Sequence, residues 1–304
     1  MKRTVVHRPI LELSSDGTLS PAGHSSEFSS ERTNTFEVVA QSAGRLRELY
    51  AQAGLNLTKS PSLLTLLNDT EALAAATPED RSFNQLLSAL QIQRISEAIL
   101  PLAGNSQIRE KLIETLDGEI NLLSRQRSKA KDTLWELELH RVLSDCGIET
   151  RFAEPDLIVL LAGSDAGVAC KKLYSEANVE KVLSQAIGQV ERNCTSGIVA
   201  LDIEGLLPEN AILQVPNVHG MAARLNAHND AFMQRHERHL RKYLEPGRAI
   251  SVVVSCAAIV DILDRTPRFF AARQTTMWNI PNQSSTQSSQ VDAILRALLS
   301  SHTA

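Results

Sequence analysis

Two short stretches carry residue types suited to phosphodiester chemistry. Glu154-Pro155-Asp156 opens the apolar run DLIVLLA, and a second run a little further on carries Val168-Ala169-Cys170-Lys171-Lys172. An acid and a lysine on adjacent strands suit metal-assisted hydrolysis. The carboxylate can hold Mg²⁺, a hard cation that prefers oxygen, while the lysine can orient or deprotonate an attacking water and balance charge on the phosphate. Upstream, Glu136 and Glu138 lie in a helical stretch leading into these runs, where a carboxylate can help to fix the metal. Downstream, Gln185 and Gln189 are spaced to share one face of an amphipathic helix.

These residues need strands and helices to position them, and the apolar pattern supplies both. Helical spacing runs from Phe36 to about Arg127, broken at Gly54, Pro61, Pro78 and Gly104, and predicts an all-helical N-terminal region. A further helix is expected from Gln107 to about Asp145, followed by the short β-like runs ETRF, DLIVLLA and AGVACKKLY. An amphipathic helix over 177–192 then leads to GIVALDI, short enough for a buried strand. The order helix, strand, strand, strand, helix, strand predicts an α/β fold: a mixed sheet with helices on its faces. Beyond it, the pattern predicts one long helix over 218–244, a strand in AISVVVSC, an edge strand in TTMWNI and a closing helix in SQVDAILRALLS. Residues 13–35, rich in Ser, Gly, Pro and Thr, show neither period and read as a loop. The expected division is a flexible segment over 1–35, a helical domain over 36–127 and an α/β domain over 128–304.

The stretches WELELHRVLSDCGIETRFAEPDLIV, GVACKKLYSE and VEKVLSQAIGQVE, taken in order, resemble the PD-(D/E)xK nuclease superfamily over about seventy residues. That family's pattern is a helical Glu, then Pro-Asp, then Glu/Asp-x-Lys on the next strand, then a helix that often carries Gln. The resemblance implies a restriction-endonuclease-like mixed β-sheet core flanked by helices, and a Mg²⁺- or Mn²⁺-dependent endonuclease acting on DNA, as in restriction-like or defence systems. It assigns Asp156 as central metal ligand, Lys171 as catalytic lysine, and Glu138 or Glu136 as the helical carboxylate. Gln185 and Gln189 correspond to the glutamine motif. The chain departs from the pattern at Ala169, which shares a strand face with Lys171 and stands where the family places its second acid. A methyl group cannot coordinate a cation, so the missing carboxylate must come from elsewhere: Glu176 first, then Asp165 or Glu180. The alternative is a catalytically inactive nuclease fold that binds nucleic acid or a protein partner.

A second candidate surface is the segment 224–248, where Arg235, Arg238, Arg241 and Lys242 stand among few acids and suit contacts to backbone phosphates. The whole chain of 304 residues carries a net charge of −4, which excludes a polybasic binder but not a local basic face. Four cysteines without a CxxC pair point to a reducing cytoplasm rather than a disulfide or zinc scaffold. No apolar run is long enough to span a membrane, and the first residues lack the unbroken apolar stretch of an export signal. The partner expected is therefore nucleic acid, DNA in particular, with no membrane. Surplus apolar surface on the helical region adds an expectation of a homodimer.

Overall fold

In the computed structural model, which describes residues 2–13, 19–32, 35–280 and 284–300, helices flank both faces of one mixed sheet. The first helices along the chain are α1 (Phe36–Gln52), α2 (Pro61–Ala75), α3 (Phe83–Ile99) and α4 (Ile108–Thr115). Their starts follow ordinary capping chemistry. Thr35 caps α1, Pro61 occupies the first turn of α2, and Ser82 and Gln85 form a reciprocal capping box on α3. The helix expected from Gln107 to Asp145 is two, because residues 116–128 leave the helical path. The second, α5 (Lys129–Asp145), is capped by the Ser128 hydroxyl.

The strands are β1 (Lys2–Leu13), β2 (Leu19–Arg32), β3 (Thr150–Ala153), β4 (Asp156–Leu161), β5 (Ser164–Lys172), β6 (Gly197–Asp202), β7 (Ile212–Val215), β8 (Ser251–Ile262) and β9 (Phe269–Asn279). Among the described residues they order as β1-β2-β9-β8-β6-β5-β4-β3, with β7 beside the far half of β8. The pairs β5/β6, β6/β8 and β7/β8 are parallel and the others antiparallel. After β5 come α6 (Val179–Asn193), then α7 (Val218–Arg235) and α8 (Glu237–Leu244), and last α9 (Ser285–Ser300). The long helix expected over 218–244 thus breaks at His236 into α7 and α8.

Two expectations about strands give way. The run TTMWNI belongs to β9, which lies between β8 and β2 rather than at an edge. Residues 19–32, read as loop, pair along β9 from His24 opposite Asn279 to Arg32 opposite Ala271. Strand addition of this kind rests on main-chain hydrogen bonds, which need no alternation of apolar residues.

Alternating side chains split the core into two layers, as the pleat requires. Ala166, Val168 and Cys170 of β5 and Ile198 and Ala200 of β6 belong to one cluster with Leu137 of α5 and, beyond it, Ile95 of α3, Leu46 of α1 and Leu67 of α2. Ala169, Val199 and Leu201 face the other way, into Leu183 and Ile187 of α6 and Leu225 and Phe232 of α7. The helical region over 36–127 therefore shares one continuous core with the sheet. All twelve residues of β8 are buried, consistent with a central strand covered on both faces. Among the described residues no helix is long and apolar enough to cross a membrane.

One glycine marks a close approach. A Cβ on Gly197, at the start of β6, would stand 2.4 Å from Val190 Cγ1 and 2.6 Å from the Gly167 carbonyl oxygen. Gly197→Ala is expected to destabilise the fold by about 1–3 kcal/mol through overpacking, and urea unfolding would measure it. An unchanged midpoint would show that α6 yields to the methyl group.

Candidate active site

The β4–β5 hairpin places the two residues singled out first. Its two-residue turn, Ala162-Gly163, has positive φ at both positions, 49° and 79°, as a tight right-twisted hairpin requires. The turn sets Leu157 opposite Val168, so Asp156 falls level with Ala169, with Cys170 and Lys171 next along β5. A slip of one residue would turn Lys171 to the other face of the sheet. Asp156 Oδ2 accepts a hydrogen bond from the Cys170 backbone N–H at 2.7 Å and another from Lys171 Nζ at 2.9 Å.

Both side chains line an open cavity of about 850 Å³ bounded by the start of α5, the start of β4, the end of β5, and α6. Glu136, Gln185 and Gln189 line it as well. Glu136 is buried and accepts from Lys111 Nζ at 2.7 Å. Burial pushes its carboxyl up, Lys111 pulls it back, and the negative charge of Asp156 adds to the rise. Asp132, one helical turn before Glu136, is a third carboxylate in the wall, raised mainly by burial, with the Tyr174 hydroxyl donating to it at 3.3 Å. The Cys170 thiol is driven well up by burial and by Asp156 and Glu136, so it is a neutral neighbour and no nucleophile.

The same wall carries six basic side chains: Arg127, Lys129, Lys171, Lys172, Lys181 and Arg192. Lys172 is neutralised by Asp202 and Glu204 outside the wall, and the other five stand against three carboxylates, so the lining keeps a positive excess that suits a polyanion.

The other residues expected at the site lie elsewhere. Glu138 does not line the cavity. It points away from Glu136, as residues two apart on a helix must, into a buried network of three cations and three anions. Arg94 on α3 bonds both Glu138 and Glu204, Arg273 on β9 reaches Glu138 and Asp202, and Lys172 Nζ meets Asp202 at 2.9 Å and Glu204 at 2.8 Å. Burial opposes charge there, yet Arg273 and Arg94 hold the Glu138 carboxyl below its usual range, and Arg94 and Lys172 hold Glu204 well below.

Ala169 is fully buried against α6, and none of the three replacement acids lines the cavity. Glu176 is held by Arg235 at 2.6 Å and His236 at 3.0 Å, Asp165 by Arg151 at 2.6 Å, and Glu180 by Lys242 at 3.4 Å. The carboxylates that do share the cavity with Asp156 come from α5. Asp132 was detectable as the residue one turn before Glu136, and Lys181 and Arg192 as neighbours of the two glutamines at helical spacing.

The basic segment is largely neutralised. Arg235 pairs with Glu176, Arg241 with Glu237 and Glu245, and Lys242 with Glu180. Of the four expected phosphate contacts, only Arg238 forms no ion pair with a described residue. The Arg235–Glu176 pair is exposed, so Arg235→Ala is expected to change unfolding free energy by no more than about 1 kcal/mol. A larger loss in thermal unfolding would reveal a packing role for Arg235.

Among the described residues no group of three or more His, Cys, Asp or Glu side chains is arranged to hold a metal ion. Two hard carboxylates on one cavity, Asp156 and Glu136, nevertheless match Mg²⁺, which keeps several waters and takes one or two carboxylates together with substrate phosphate. They do not match a closed zinc shell. No family model, curated protein or solved structure matches the chain.

Proposed function

We propose that this chain hydrolyses phosphodiester bonds of nucleic acid, DNA in particular, with Mg²⁺ or Mn²⁺, in the manner of a PD-(D/E)xK nuclease whose second acid comes from α5. The observation that carries the reading is the convergence of Asp156, Lys171, Glu136, Gln185 and Gln189, from four elements, on one open and positively lined cavity. Asp156 and Glu136 would hold the cation. When bound, it would polarise a phosphoryl oxygen and acidify a coordinated water. Lys171, fixed by Asp156, presents its ammonium where it can hydrogen-bond a phosphate oxygen or orient the attacking water. The glutamine amides and remaining cations position the substrate backbone. Four free cysteines fit a reducing cytoplasm as the place of action.

One observation favours a second reading, a nuclease-like fold that binds nucleic acid without cutting it. The position of the missing acid is a buried methyl group, and the Lys171 ammonium already rests on Asp156. Incubating supercoiled plasmid and labelled single-stranded DNA with the protein in Mg²⁺, Mn²⁺ or EDTA separates the two. Metal-dependent nicking supports the nuclease, and retained binding without nicking in any metal supports the second reading.

A further inference from the structure

Helix α6 sorts its charges. Glu180 faces Lys242 and His239 of α8, and Glu191 meets Arg248 through two hydrogen bonds of 2.7 and 2.9 Å. Each acid is followed at once by a base, Lys181 and Arg192, turned about 100° around the helix. Both bases line the cavity, are exposed, and form no ion pair with a described residue. Between them Ser184, Gln185, Gly188 and Gln189 line the same cavity at steps of three and four residues. The result is one straight stripe about 16 Å long, with a free cation at each end and neutral hydrogen-bonding groups between.

We infer that this stripe of α6 is the track for one strand of the nucleic acid, gripping its phosphodiester backbone at Lys181 and Arg192. The inference rests on the nucleic-acid reading above and moves the phosphate contacts from α7–α8, where the sequence suggested them, to α6. Three things support it. Arg235, Arg241 and Lys242 of α7–α8 already have carboxylate partners, whereas Lys181 and Arg192 form no ion pair with a described residue. The stripe shares its cavity with Lys171 and Asp156, so a bound strand would lie in the same cavity as the proposed chemistry. Gly188, midway, adds no side chain, and a Cβ there would meet only Arg192 Nη1, at 3.4 Å, so the groove is open at its centre.

The test is fluorescence anisotropy of a labelled 20-nucleotide DNA strand with the full chain, in EDTA so that no cleavage intervenes, over a series of salt concentrations. Lys181→Ala/Arg192→Ala, both at exposed helical positions, is expected to bind at least tenfold more weakly. Its salt dependence should be shallower by about 1.4 in log–log slope, two single-strand phosphate contacts at about 0.7 each. Arg238→Ala, the unpaired cation of α8, should change affinity less than twofold. Parallel titrations with the ribo-oligonucleotide of the same sequence identify which sugar the strand carries, with the same variant effect on whichever binds more tightly. If the double variant binds like wild type, or if Arg238→Ala carries the loss, the track on α6 is overturned while the nucleic-acid reading stands. A wild-type chain that neither binds nor cuts either strand overturns both.

Discussion

Replacing Asp156 with alanine, or Lys171 with methionine, is expected to lower metal-dependent cleavage by about 10²–10⁴-fold, the range for loss of one positioned catalytic group. Both residues stand in the cavity wall and hold each other at 2.9 Å, so the two losses should not add. The double variant should be little worse than the poorer single one. Asp156→Ala also frees the Cys170 N–H and leaves the Lys171 ammonium without its carboxylate. Circular dichroism and unfolding curves must accordingly accompany the assay, and Lys171→Met supplies a variant that keeps the aliphatic stem. Plasmid nicking that survives both substitutions in folded protein would sink the nuclease reading. Glu136→Gln is expected to raise the metal concentration needed for activity, because it removes the second carboxylate from the cavity.

The second large effect is on stability. Arg94→Ala is expected to cost about 3–5 kcal/mol, as breaking a buried ion pair does when the partner charges remain buried. Arg94 donates to both Glu138 and Glu204, and these two residues lie on α5 and just after β6, so its loss loosens α3 from the sheet. Urea unfolding at neutral pH measures the difference, and a change below about 1 kcal/mol would mean that Arg273 and Lys172 hold the two carboxylates unaided. The pH dependence has a definite sign. Glu138 and Glu204 have lower pKa values folded than unfolded, so their contribution is complete above the unfolded value and is lost as the pH falls through the folded one. The gap between wild type and Arg94→Ala should therefore narrow as the pH drops below about 4.3, the ordinary glutamate value.

What the sequence determined by itself was whatever depends on near neighbours. The α/β order from α5 to β6, the placing of Asp156 and Lys171 on adjacent strands, and the shared helix face of Gln185 and Gln189 all follow from periods of two and 3.6 residues. The departure at Ala169 was legible for the same reason. Only the tertiary structure decided which helical glutamate reaches the cavity. Glu136 and Glu138 are equivalent in spacing, and the choice is made by Arg94 and Arg273, which lie 44 and 135 residues from Glu138 along the chain. The basic segment shows the same limit. Its cations look unopposed locally, yet the carboxylates that neutralise Arg235, Lys242 and Arg248 come from 57 to 62 residues earlier. Strand β2 lay beyond reach too, since its place beside β9 is set by backbone hydrogen bonds that side-chain periodicity does not report. Charge pairing and strand addition act through space between distant residues, so local pattern could nominate the site but not complete it.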